Sequence, residues 1–178
     1  MTYCLAAQSL ARSAAAMSGV DTPHTSPPLT LETFDPKALT SHAFVYFKLH
    51  GLAGQPFWYG DGGITAVSAE QLAACDLRGA HVFAACCFTL DSPMIEALRQ
   101  TGAAWIVAGA GFNYAGVDVL AGIDVIGQQW QRLIAGGTEP GKAFRMAQVA
   151  ALLRRPTLVQ DIYSFKVMQG KASNASKG

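Results

Sequence analysis

Charge is scarce in this sequence of 178 residues: Asp, Glu, Lys and Arg make up 14% of it, against 51% apolar residues. So little charge on so apolar a chain suggests a globular domain with part of its surface covered by a partner or a neighbouring domain. The thirteen Lys/Arg and twelve Asp/Glu leave a formal net charge of +1. No Lys/Arg stripe forms, which argues against an electrostatic nucleic-acid binder. The densest basic pair, Arg154-Arg155, closes an expected helix, where the macrodipole favours cations. Cysteine is also scarce. Cys4, Cys75, Cys86 and Cys87 offer no C-x-x-C or C-x-x-C-H spacing, so neither a disulfide framework nor zinc, redox or haem chemistry is expected. No cofactor or metal is called for. Free thiols point to a reducing compartment, the cytoplasm. The first twenty residues carry only Arg12 and lack the long apolar run of a signal peptide. No segment approaches the roughly 20 apolar residues that a membrane span needs.

What the sequence does contain is alternation of apolar runs with helical patterns. Residues 1–7 suggest a short strand, and 9–18 a helix of small residues. Residues 21–28 (DTPHTSPP) form turns, and 29–34 alternate weakly enough for another short strand. The first strong strand is 42–50 (HAFVYFKLH). A glycine-rich loop over 51–63 follows, with Phe57-Trp58-Tyr59 exposed within it. Ser68 and Gln71 make a capping box for a short helix ending near Cys75. Residues 80–88 (AHVFAACCF) read as a second buried strand, and 103–108 (AAWIVA) as a third. Pro93 opens a helix between them that runs to about Gln100. Helices are expected over 119–135 and 140–154, with Pro156 as the stop, and a last strand over 162–168. Met146 and Val149 are expected to pack in the core at helical spacing. Together these elements predict an α/β fold, with a mostly parallel sheet flanked by helices in a three-layer sandwich. Sites in such sheets form at the carboxyl ends of strands.

His50 closes one of these strands and Cys86 lies near the end of the next. A thiol, a base that takes its proton and N–H donors for a developing oxyanion are what acyl transfer to cysteine requires. Gly51 lets backbone approach closely. A lone buried cysteine is more often a small hydrophobe, and a lone strand-end histidine is more often structural. Only the pair, in matching apolar context, points to catalysis.

Six short segments then resemble the caspase-like (clan CD) cysteine peptidases, closest to the CHAT and gingipain-like branches. They are Phe47-Lys48-Leu49-His50-Gly51, Phe83-Ala84-Ala85-Cys86, residues 102–108, 130–136 and 143–148, and the closing strand 165–170. The resemblance covers residues 43–170. It implies a catalytic domain over 41–170, preceded by a weakly matched strand, helix and Pro-rich loop over 1–40 and followed by a disordered tail over 171–178. It implies Cys86 as nucleophile and His50 as general base and acid, with the N–H groups of Gly51 and Cys86 as the oxyanion hole. The expected activity is cysteine-type endopeptidase hydrolysis through a thioester, on a protein or peptide substrate. An activator or fused sensor domain is a further expected partner, and nucleic acid and membrane are not. Cys87 competes with Cys86 for the nucleophile's place. Candidate residues for the substrate pocket are Asp61, Ala110, Asn113 and Asp118. The usual specificity acid is missing, since Ala84 and Ala85 precede the cysteine and residues 109–116 hold no carboxylate.

Two rival readings stay open. One is an inactive caspase-like module that acts as a scaffold or regulator. The other is a flavodoxin-like binder, against which the nucleotide fingerprint starting at Gly109 fails, because Tyr114 stands at the third glycine. His24, His42 and His81 read as structural or solvated.

Overall fold

The computed structural model describes residues 1–171. Nine strands and six α-helices alternate along them. In order they are β1 (Thr2–Ala7), α1 (Ala11–Ala14), β2 (His24–Ser26), β3 (Phe44–Lys48), β4 (His50–Gly51), β5 (Phe57–Tyr59), β6 (Thr65–Ser68), α2 (Ala69–Ala73), β7 (His81–Ala84), α3 (Met94–Gln100), β8 (Trp105–Gly109), α4 (Ile123–Ala135), α5 (Pro140–Arg154), α6 (Val159–Ser164) and β9 (Phe165–Gln169). The main sheet has the order β2-β1-β3-β7-β8-β9. All its pairs are parallel except β8 with β9. β4, β5 and β6 form a separate antiparallel sheet.

Strand alternation divides the side chains between two cores. Tyr3, Leu5, Val45, Phe47, Val82, Ala84 and Ile106 face one side, where Trp58, Val67, Leu72, Met94 and Leu98 of the small sheet, α2 and α3 cover them. Cys4, Ala6, Phe44, Tyr46, Phe83 and Val107 face the other, against Ala14, Ile126, Trp130, Phe144 and Ile162. The expected three layers are thus present, with the central strands buried on both faces as parallel strands require.

The capping box forms as read: Ser68 Oγ accepts from Gln71 N–H at 3.1 Å, and the Gln71 side chain returns to Ser68 N–H. α5 has the predicted bounds. Other expectations fail. Residues 29–34 are turns rather than a strand, and the expected 9–18 helix shrinks to a 3-10 turn and the four residues of α1. The proline-rich stretch contributes the edge strand β2, where the missing N–H of proline is tolerated. Trp58 is buried rather than exposed, because β5 turns it under the sheet against Phe47 at 5.0 Å between ring centroids. The segment expected as the last strand is split, with α6 reaching Ser164 before β9 begins. His42 lies just before β3, while His24 lies within β2 and stacks on Tyr3. Met146 and Val149 are exposed; α5 buries the face carrying Phe144, Ala147 and Ala151 instead. Residues 172–178, most of the expected disordered tail, lie outside the described residues.

Candidate active site

The ends of β1, β3 and β7 meet at the carboxyl edge of the main sheet. Four residues of β3 each pair with the one 37 places later, from Phe44 with His81 to Phe47 with Ala84. Continued beyond the paired region, the same offset sets Leu49 level with Cys86 and His50 level with Cys87. The first of these correspondences is a contact: the Leu49 N–H donates to Cys86 Sγ at 3.4 Å. That sulfur replaces the carbonyl a continuing ladder would offer. The chain leaves the large sheet here, and His50 and Gly51 pair instead with Tyr59 and Trp58.

The period of two then separates the adjacent cysteines. Cys86 follows Val82 and Ala84 into the first core and has no solvent exposure. Burial pushes its thiol pKa well up, against a smaller lowering by the Leu49 N–H. Cys86, expected as the nucleophile, thus lies in the apolar core, an environment that disfavours the thiolate a nucleophile needs. Cys87 takes the opposite phase, is partly exposed, and has its sulfur 3.9 Å from the Asn113 carbonyl oxygen. Gly51 fixes how close the two strand ends come: a Cβ there would lie 2.0 Å from the Cys87 carbonyl oxygen. The expected close approach at Gly51 therefore exists, and its partner is the backbone of Cys87.

The residue after Cys87 turns the chain sharply. Phe88 has φ 55° and ψ 21°, a left-handed conformation uncommon for a bulky side chain. Its N–H donates to the Gly111 carbonyl at 2.8 Å, and its ring meets Phe112 edge-on at 4.7 Å. Thr89 Oγ donates to the Cys86 carbonyl at 2.9 Å. The loop after β8 is thereby fastened beside Cys87.

His50 is exposed, and its Nε2 lies 3.4 Å from Asp61 Oδ1. Asp61 is in turn held by Ser9, whose N–H and Oγ–H donate to its two oxygens at 2.6 and 2.8 Å. Residues His50, Leu52, Tyr59, Gly60 and Asp61 line a groove of about 400 Å³. Of the other pocket candidates, Asp118 pairs with Arg12 at 3.3 Å on the surface. Ala110 is tied by its N–H to Ser164 at 3.3 Å. Asn113 does reach the site, and its buried side-chain nitrogen finds no partner among the described residues. No cluster of three or more metal-ligating side chains occurs among the described residues. No helix there is long and apolar enough to cross a membrane.

Of the residues read as a site from the sequence, His50, Gly51 and Asp61 come together at one groove, whereas Cys86 lies in the core and its neighbour Cys87 is the cysteine that is partly exposed. The alternation Val82, Ala84, Cys86 sets the two cysteines on opposite faces, but both faces of this strand are buried, so it does not tell which cysteine reaches solvent. Nothing local announces that Asp61 meets Ser9, 52 residues away.

Sheet order and flanking helices define a caspase-like α/β fold. The chain matches the crystal structure of gingipain R, an Arg-specific cysteine proteinase, with a TM-score of 0.59 and 12% identity. The match covers 95% of this chain and 46% of that one, so this chain spans less than half the length of its structural neighbour. No protein-family model and no curated protein matches it.

Proposed function

We propose that this chain is a cysteine endopeptidase domain in which Cys87 is the nucleophile and His50 the general base and acid. The observation that carries the reading is the register of β3 on β7, which, continued past its last pair at Phe47 and Ala84, brings His50 and Cys87 to one level, with both side chains reaching solvent at the sheet's carboxyl edge. Adjacent strands lie about 5 Å apart, so a carbonyl laid between the two groups is within reach of both.

In the acylation step the thiol proton passes to the His50 imidazole while sulfur attacks the carbonyl carbon. The carbonyl electron pair moves to oxygen and returns as the C–N bond breaks, and the imidazolium gives its proton to the leaving amine. Water then attacks the thioester as His50 takes one of its protons. The C–S bond breaks and the acid leaves, restoring the thiol. The N–H of Gly51 and the unpartnered Asn113 amide are the donors on hand for the oxyanion or the substrate backbone. The acids read as pocket residues are engaged elsewhere, Asp61 by Ser9 and His50 and Asp118 by Arg12. Neither is left to recognise an arginine side chain, for which the gingipain neighbour is specific.

The test compares wild type with Cys87→Ala, Cys86→Ala and His50→Ala on a denatured proteome, reading new peptide termini by mass spectrometry. Cleavage is expected from wild type and Cys86→Ala and is lost in the other two. Cleavage that survives Cys87→Ala but not Cys86→Ala reverses the cysteine assignment. Silence from wild type, with and without calcium, replaces this reading with a non-catalytic module.

A further inference from the structure

Asp61 has the geometry of a carboxylate that sets the state of a neighbouring ring. Its Oδ2 accepts the Ser9 backbone N–H at 2.6 Å, and its Oδ1 accepts the Ser9 hydroxyl at 2.8 Å. The same Oδ1 lies 3.4 Å from His50 Nε2. A backbone N–H can only donate, so this two-point attachment fixes the carboxylate plane and leaves Oδ1 facing the imidazole. Both anchors are built by the fold. Ser9 follows β1, the strand beside β3, and Asp61 opens a glycine turn whose Gly62 and Gly63 have φ of 65° and 74°.

We propose that Asp61 is the positioning residue for His50, holding its neutral ring with the proton on Nε2 and leaving the Nδ1 lone pair as the base. The inference rests on the cysteine-peptidase reading and names the atom that handles the proton in it. An ionised carboxylate only accepts, so a ring nitrogen facing it must carry hydrogen, and the other nitrogen of a neutral imidazole is then bare. Desolvation is the largest single influence on the Asp61 carboxyl and raises its pKa, but the hydrogen bonds from Ser9 and the contact with His50 together outweigh it and hold the carboxyl below its ordinary range. Asp61 therefore stays an acceptor wherever a cysteine peptidase works. Asp61 as a specificity acid is the weaker reading, since its oxygens already serve three donors. A purely structural ion pair is weaker too, because an exposed pair of this kind contributes little to stability.

Asp61→Asn supplies the decisive contrast. The amide must keep its oxygen toward the Ser9 N–H, since an NH2 group there would face another donor. Its NH2 then takes the Oδ1 position and presents hydrogen to His50 Nε2, which favours the opposite tautomer. In a serine-protease triad the corresponding exchange costs on the order of 10⁴ in turnover. At this more exposed site a loss of roughly 10²-fold in kcat, with KM within about twofold, is expected.

The experiment uses the full chain labelled with nitrogen-15 at histidine, with His50→Gln to assign the signal. Long-range proton–nitrogen correlation spectra of the neutral ring report the tautomer directly, without any substrate. Wild type and Asp61→Glu should show a proton on Nε2, and Asp61→Asn a shift toward Nδ1–H. Ser9→Ala, which leaves Asp61 in place, should give a mixture and serves if Asp61→Asn folds poorly. An unchanged tautomer in both Asp61→Asn and Ser9→Ala overturns the inference, even if wild type cleaves peptides. A shifted tautomer in a protein that cleaves nothing keeps the Asp61 assignment and removes the peptidase reading instead.

Discussion

The Lys48 ammonium and the Asp124 carboxylate lie 2.9 Å apart, and neither side chain reaches solvent. They sit at the centre of a buried polar cluster between β3 and α4. Lys48 also donates to Ser13 Oγ at 2.5 Å and to the Gly116 carbonyl at 2.7 Å. Asp124 accepts from the Tyr46 hydroxyl at 2.5 Å and from the Gly116 N–H at 2.7 Å. The cluster ties the segment after β8, which carries Asn113, to β3, which ends at Lys48 two residues before His50. Every donor it buries has a partner, as a low-dielectric interior demands.

Lys48→Met should therefore cost about 3–5 kcal/mol, because it leaves the Asp124 charge buried without its counter-ion. Lys48→Met combined with Asp124→Leu should recover most of that loss, since the charge that needed pairing is gone. Urea denaturation of the two single variants and the double variant measures the coupling. A double variant as unstable as the sum of the singles contradicts this account.

Gly51→Ala forces a methyl to within 2.0 Å of the Cys87 carbonyl oxygen. Backbone cannot swing aside as a flexible side chain does, so the strand ends must part. A destabilisation of about 1–3 kcal/mol is expected, together with a loss of cleavage larger than the stability change explains. Proteolytic assays run well below the variant's melting temperature separate the two effects.

The cysteines should differ sharply in reactivity. Iodoacetamide at neutral pH should modify Cys87 in the native chain and spare Cys4, Cys75 and Cys86, which are all buried. Mass spectrometry of the digested, alkylated protein reads this directly. Prompt labelling of Cys86 in the folded state contradicts the core placement given above.

The same burial predicts alkaline sensitivity. Desolvation raises Cys4 and Cys75 from 9 to about 12 each. Above pH 9 the unfolded chain loses these thiol protons while the folded chain keeps them. Fewer protons bound in the unfolded state means that stability falls as pH rises from about 9 toward 12. Thermal melts across that range should show the decline, and Cys4→Ala with Cys75→Ala should lessen it without abolishing it, because the buried Cys86 thiol is raised in the same way. An equally steep decline in the double variant assigns the effect to other groups, with the Cys86 thiol and the buried Tyr46 phenol first among them.

Much of the fold was legible because its signals are local. Apolar runs at 42–50 and 80–88 contain β3 and β7, and the run at 103–108 covers β8 but for its last residue, Gly109. Ser68 with Gln71 marked the start of α2, and Pro156 the end of α5. Failures came where a long-range partner decides. β2 is a strand only because β1 lies beside it, and β5 is one only because β6 and His50-Gly51 flank it. Met146 and Val149 repeat at helical spacing, but so do Phe144, Ala147 and Ala151, and a pattern apolar on both faces cannot say which side meets the sheet.

The sequence by itself determined the α/β class and the two apolar runs that lead into His50-Gly51 and into the two cysteines, because composition, periodicity and capping act within a few residues of one another; that β3 stops at Lys48 and β7 at Ala84, short of those residues, it did not. Only the tertiary structure decided which cysteine shares a level with His50. That choice depends on the register between β3 and β7, and a shift of one residue exchanges the faces of Cys86 and Cys87. It alone brought Ser9 and Asp61 to the imidazole, and Lys48 to Asp124. Contacts across such distances in sequence exist only once hydrophobic burial has closed the chain on itself, and no local signal encodes them.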